Sequence, residues 1–124
     1  MKLLLDTHAA LWFLSGDDRL GENARRHLID GTNRVFLSAA VVWEIATKRS
    51  LGKLIVPDEY LSLLLDAGVQ PLAVSVAHAA AVEQLPPHHR DPFDRLLVSQ
   101  ATIEGGALVS RDEALRPYGV TLIW

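Results

Sequence analysis

Residues 3–7 read Leu3-Leu4-Leu5-Asp6-Thr7. Three consecutive apolar residues without alternation suit a strand buried on both faces, and the aspartate ends it. The same signature returns late in the chain as Ala107-Leu108-Val109, followed by Ser110-Arg111-Asp112. Arg34 to Leu37 reads as a second strand between them, and Val69 to Val74 as a third. Pro71 marks that third strand as a sheet edge, because proline donates no ladder hydrogen bond. Val120 to Ile123 reads as a fifth. Helical patterns separate the strands: His8 to Leu14, Glu22 to Ile29, a helix capped by Ser38 and running to about Ser50, Glu59 to Ala67, Ala77 to Gln84, and a helix opened by Asp91-Pro92 that runs through about Glu104. A short helical turn follows from Asp112 to Leu115. Strands alternating with helices predict an α/β fold, a parallel sheet with helices on both faces. Ligand sites in such sheets lie outside the carboxyl ends of the strands, at the topological switch point.

The bulk properties fit that plan. A chain of 124 residues, 49% hydrophobic, reads as a single domain spanning residues 1–124 and can bury roughly two-thirds of its unfolded surface. The absence of cysteine excludes disulfides and cysteine-based zinc sites, and suits a reducing compartment. The apolar run after Lys2 stops at Asp6, too short for a signal sequence, and no stretch approaches the ~20 apolar residues of a membrane span. The expectation is a soluble, cytoplasmic protein with no membrane partner. A net charge of −3 argues against gripping nucleic acid by overall charge, but leaves room for a local basic rim. Nine arginines against three lysines suit planar recognition of phosphate.

Four acids stand where a site is expected. Asp6 ends the first strand and Asp112 follows the fourth. Asp94 lies in the first turn of the helix leading into the fourth strand. Glu44 lies about two turns into the helix after the second, inside the apolar segment Ala39 to Ala46. Carboxylates crowded together repel by roughly 4 kcal/mol per pair at 4 Å and an effective dielectric of 20. Protonation or a cation must offset this, and a hard divalent ion such as Mg²⁺ is the natural oxygen-ligated solution. Each acid also has a local role open to it. Asp6 and Asp112 can cap the elements that follow, Asp94 suits a helix N-terminus, and Glu44 can pair with Lys48 at i,i+4. For Asp91, before Pro92, capping is the preferred reading.

These residues resemble the PIN-domain family, specifically VapC-type toxins of bacterial toxin–antitoxin systems. Leu3-Leu4-Leu5-Asp6-Thr7 is similar to the family's first strand and first acid. Ser38-Ala39-Ala40-Val41-Val42-Trp43-Glu44-Ile45 is similar to its second motif. His89-Arg90-Asp91-Pro92-Phe93-Asp94-Arg95-Leu96-Leu97-Val98-Ser99-Gln100-Ala101 resembles the third and is the most specific match, and Leu108-Val109-Ser110-Arg111-Asp112 resembles the fourth. The resemblance implies a three-layer α/β/α domain with a five-stranded parallel sheet in the order 3-2-1-4-5. It implies that Asp6, Glu44, Asp94 and Asp112 bind Mg²⁺ or Mn²⁺ for endoribonuclease activity. It also implies a homodimer and a small antitoxin partner whose tail fills the groove, and it places a hydroxyl, Ser110, near the site.

On this reading Asp6, Asp94 and Asp112 hold one or two metal ions, while Glu44 helps hold the metal or orients the attacking water. In-line attack leaves a 5′-phosphate and a 3′-hydroxyl, a product assignment that comes from the resemblance. Arg90, Arg95 and Arg111, with Ser110, are the candidate RNA contacts, and Arg116 lies close behind. Salt bridges to Asp91 or Glu113 are the alternative for these arginines. His88-His89 reads as a polar loop, since no third histidine or cysteine lies at ligand spacing. His8, Trp12 and Phe13 read as packing residues. Other Mg²⁺ chemistries fit less well. An aspartyl-phosphate enzyme would want an acid where His8 stands, and a receiver module would want an acceptor aspartate ending the third strand. A catalytically inactive interaction domain is disfavoured by the complete acid set.

Overall fold

The computed structural model describes all 124 residues. Five strands form one sheet in the order β3-β2-β1-β4-β5, and every pairing is parallel. They are β1 (Lys2–Leu5), β2 (Arg34–Ser38), β3 (Gln70–Leu72), β4 (Ala107–Val109) and β5 (Leu122–Ile123). The helices are α1 (Thr7–Ser15), α2 (Glu22–Ile29), α3 (Ala39–Ser50), α4 (Tyr60–Asp66), α5 (Val76–Ala81) and α6 (Pro92–Glu104). The α/β expectation and the strand order both hold. Leu3, Leu4 and Leu5 of the central strand are fully buried, as are Leu108 and Val109 beside them.

Three elements are shorter than the pattern predicted. The third strand is only Gln70–Leu72 and pairs with β2 alone, because Pro71 cannot extend the ladder on its outer side. The helix expected over Ala77 to Gln84 is α5 followed by a 3-10 turn, Val82–Gln84. The fifth strand covers two residues. The turn after β4 is instead longer than Asp112 to Leu115, a 3-10 turn over Glu113–Tyr118 capped by Asp112.

Chain order moves the path across the sheet in one direction from β1 to β3 and in the other from β1 to β5. The reversal lies between β1 and β4. Leu5 pairs with Val109 across that seam, so the next residues, Asp6 and Ser110, leave the sheet side by side. The Asp6 amide donates to the Val109 carbonyl at 3.1 Å, extending the ladder by one bond. The approach of α6 to this edge is set by two glycines. Gly105 ends α6 with a φ of 65°, which L side chains rarely adopt. At Gly106 an added Cβ would stand 3.0 Å from the Lys2 carbonyl, a tight contact that glycine avoids where β4 enters beside β1.

Candidate active site

Each of the four acids is placed by local chain geometry. Asp6 caps α1, its carboxylate accepting from the Ala9 amide at 2.8 Å. Asp94 lies in the first turn of α6, where Asp91 caps and Pro92 takes the first helical position. Glu44 sits on the buried face of α3, positioned by the Ser38 cap. Asp112 caps the turn after β4, accepting from the Ala114 amide at 3.1 Å. For Asp6 and Asp112 the capping role and the gathered site are therefore the same placement, because each cap stands at a strand-to-helix junction where the sheet edge opens.

The four acids line one open cavity of ≈ 480 Å³, together with Asp91 and Glu113. No apolar side chain lines it. Its cations are Lys48 and Arg111, and Thr7 and His8 complete the wall. Lys48 is already committed, with its ammonium 2.6 Å from Glu44 Oε2. The Thr7 hydroxyl donates to the other oxygen, Glu44 Oε1, at 2.6 Å. Glu44 thus makes the i,i+4 pair and lines the cavity at once. Its position explains why a carboxylate is tolerated in an apolar helix face: both oxygens are hydrogen-bonded.

The negative surplus is visible in the acids themselves. Asp94 is pushed up to about 7, chiefly by burial, then by the Asp91 charge, with smaller pushes from Asp6 and Glu44; His89 acts against them. Asp6 is also raised, by burial first, while the Ser110 hydroxyl and the Ala9 amide work in the opposite direction. Lys48 is held above its ordinary value by its bond to Glu44 and by the Asp91 and Asp94 charges. Such carboxylates are matched to a hard divalent cation, which would supply the positive charge that Lys48 alone does not. The oxygen-rich lining fits Mg²⁺ or Mn²⁺, with Asp6, Asp94 and Asp112 as the acids not already paired to Lys48.

The expected RNA contacts divide. Arg111 lines the cavity, makes no ion pair, and lies over the Trp12 ring at 4.6 Å from its centroid. Arg90 is exposed but outside the cavity wall. Arg95 and Ser110 do not face the groove. The Arg95 guanidinium donates to the carbonyls of Pro86, Val82 and Leu85 and to the Tyr118 hydroxyl, anchoring the loop before α6. Adjacency to Asp94 in sequence was misleading, since consecutive helical residues point about 100° apart. Ser110 is 1% exposed and accepts from the Asp112 amide at 3.1 Å, which leaves it no surface to offer a substrate. Arg116 forms the alternative salt bridge, to Glu113 at 2.6 Å.

Two histidines lie against the acids. His8 stacks on Trp12, with ring centroids 5.1 Å apart, and it also lines the cavity. His89 is no bystander in a polar loop. Its Nε2 lies 3.0 Å from Asp112 Oδ2 and 3.5 Å from Asp94 Oδ2. Metal-ligand spacing along the chain could not find it, because it meets its carboxylates across the fold. The available signal was its position two residues before the cap of α6, which turns it toward the helix N-terminus. Trp43 is exposed against Phe93, and Trp124 packs edge-on to Trp12.

An open parallel sheet with an apolar-free carboxylate cavity at its switch point defines an α/β protein with an acidic site at the strand ends. The PIN domain model matches residues 3–120, and the chain belongs to the PIN domain family. No curated protein sequence matches it significantly. Among solved structures it is similar to VapBC2 from Rickettsia felis bound to a DNA fragment from their promoter, at 16% identity and a TM-score of 0.72, covering 98% of this chain and 97% of that one. It is also similar to DNA-bound VapBC from Salmonella typhimurium, at 16% identity and a TM-score of 0.71, covering 98% and 96%. No helix is long and apolar enough to cross a membrane.

Proposed function

We propose that residues 1–124 form a single PIN domain acting as a Mg²⁺-dependent endoribonuclease, the toxin of a toxin–antitoxin pair. The observation that carries this reading is the convergence of Asp6, Glu44, Asp94 and Asp112 on one cavity with a surplus of negative charge. Family membership supports the nuclease, and likeness to solved VapBC assemblies supports an antitoxin partner; a homodimer is proposed with them, as the resemblance implies. Mn²⁺ is an acceptable substitute metal in an all-oxygen site.

Asp6, Asp94 and Asp112 would hold the metal directly or through water. The ion would supply Lewis acidity, activating a water and polarising the scissile phosphate. Glu44, fixed by Lys48 and Thr7, orients the attacking water from the buried side of the cavity. Arg111 faces the cavity without an acidic partner and takes a flanking phosphate of the RNA.

The test is cleavage of a labelled RNA pool by the purified, antitoxin-free protein in Mg²⁺ or EDTA. The expected outcome is cutting in Mg²⁺ alone, leaving 5′-phosphate ends, and a loss exceeding ~100-fold in Asp94→Asn, since even supporting residues of metal sites cost 10–100-fold. Cutting that persists in EDTA would reject the metal-dependent reading.

A further inference from the structure

His89 has two ring nitrogens, and each faces a partner of fixed chemistry. The Asp91 backbone amide donates to Nδ1 at 3.0 Å. A backbone N–H can only donate, so Nδ1 must present its lone pair. Nε2 faces Asp112 Oδ2 at 3.0 Å and Asp94 Oδ2 at 3.5 Å. The tautomer satisfying both sides carries its proton on Nε2 and donates it to Asp112, with the Asp94 carboxylate alongside.

This bears on the site's chemistry. His89, Asp94 and Asp112 bring three potential ligand atoms within 4.8 Å of one another, a spacing a metal ion can span. A nitrogen that carries a proton cannot ligate, however. Freeing Nε2 would move the proton to Nδ1, against the Asp91 amide. The hydrogen bonding therefore separates the cluster into two carboxylates that can ligate and an imidazole that orients them.

The ring is held from behind as well. The His89 amide donates to the Tyr118 hydroxyl at 2.8 Å, and Arg95 donates to the same oxygen at 3.0 Å. Arg95 also ties down the carbonyls of Pro86, Val82 and Leu85. A continuous chain of hydrogen bonds thus runs from that loop, through Arg95 and Tyr118, to the imidazole between Asp94 and Asp112.

We propose that His89 is a positioning residue of the acidic site: its Nε2–H, bonded to Asp112 and facing Asp94, sets these carboxylates to receive the divalent cation, without ligating it. The inference rests on the nuclease reading above and adds the residue that orders its metal site. Outer partners that orient metal ligands contribute about 10–100-fold in metal affinity.

The experiment is Mn²⁺ binding to the purified protein, followed by electron paramagnetic resonance and calorimetry in wild type, His89→Gln, His89→Leu and Asp94→Asn. Circular dichroism checks that each is folded. Glutamine places an N–H near the position of Nε2; leucine fills the space without a donor. Expected are a ~10–100-fold weaker Mn²⁺ affinity in His89→Leu, recovery to within a few-fold in His89→Gln, and no ¹⁴N coupling from a directly bound imidazole in the wild type. A ¹⁴N coupling present in wild type and lost in both His89 variants would make His89 a ligand and overturn the proposal. Wild-type affinity in His89→Leu would overturn it equally, with the nuclease reading intact. A wild type that binds no Mn²⁺, or an Asp94→Asn variant that binds it undiminished, would instead remove the metal site on which both readings stand.

Discussion

Two histidines in this molecule are held in the same way and end in different surroundings. His78, on α5, accepts from the Ser75 amide through Nδ1 at 3.0 Å and places Nε2 2.9 Å from Glu104. His89 accepts from the Asp91 amide through Nδ1 and places Nε2 against Asp112. In both, Nε2 makes one hydrogen bond with a carboxylate and the other nitrogen is fixed by a cap-region amide, but His89 also faces a second carboxylate, Asp94 at 3.5 Å. Around His78 every buried polar atom is paired. Gln100 accepts from the Ser38 hydroxyl at 2.5 Å and donates to the Ala73 carbonyl at 3.3 Å, while Ser99 donates to the His78 carbonyl at 2.6 Å. Glu104 is drawn below its ordinary pKa, first by the bond to His78 and further by Lys2. Around His89 the carboxylates outnumber the cations, and Asp94 is driven up instead. A balanced cluster fastens α5 to α6; an unbalanced one is left able to bind a cation.

That contrast can be broken at either end. The largest expected stability effect is at the balanced cluster. Gln100→Leu strands the Ser38 hydroxyl and the Ala73 carbonyl, and should cost about 2–3 kcal/mol in denaturant unfolding while leaving Mg²⁺ affinity unchanged. A metal affinity that fell with it would mean the two clusters are coupled.

The unbalanced cluster should show itself in pH. The folded pKa of Asp94, about 7, exceeds the ordinary 3.8. Folded protein therefore holds more protons than unfolded protein between these values, and this group lowers stability as pH rises from about 4 to about 7. Allowing for partial solvent screening, the loss is about 2 kcal/mol in metal-free protein. Saturating Mg²⁺ should flatten the slope and Asp94→Asn should remove it. A slope unchanged in the variant would assign it to another group.

The smallest effect is at the rim. Arg111→Ala should weaken RNA binding several-fold and reduce the salt slope by about 0.7, one single-strand phosphate contact. Trp12→Leu, which removes the ring under Arg111, should give part of the same loss. Unchanged affinity and slope in Arg111→Ala would take that side chain out of substrate binding.

Much of this was legible in the chain. The continuous apolar runs of β1 and β4 announced a buried parallel sheet, and the Ser38 and Asp91-Pro92 caps announced helix starts, because both signals are local. Asp6 and Asp112 were legible because strand ends and helix starts coincide at the sheet edge, Asp94 from its place in the first turn of a capped helix, and Glu44 as a charge inside an apolar helix segment. What escaped depends on contacts between residues far apart in sequence. Gln100 and Ser99 lie in the third motif, yet the network they close with Ser38, Ala73 and His78 exists only once α6 packs. Arg95 stands next to a site acid in sequence but points to loop carbonyls, and Ser110 is buried behind the site, with its hydroxyl at Asp6 and the Asp112 amide. His89 has no partner at ligand spacing, and its role follows from which way a backbone amide turns its ring.

The most direct test of the charge surplus is calorimetric titration of Mg²⁺ into metal-free protein at pH 6.5, in buffers of different ionisation enthalpy, for wild type and Asp94→Asn. Expected in the wild type is saturable binding that releases protons, because the cation displaces the proton held by Asp94. Expected in Asp94→Asn are weaker binding and little proton release. No saturable binding in the wild type, or identical affinity and proton release in the two proteins, would contradict a metal site built on these acids.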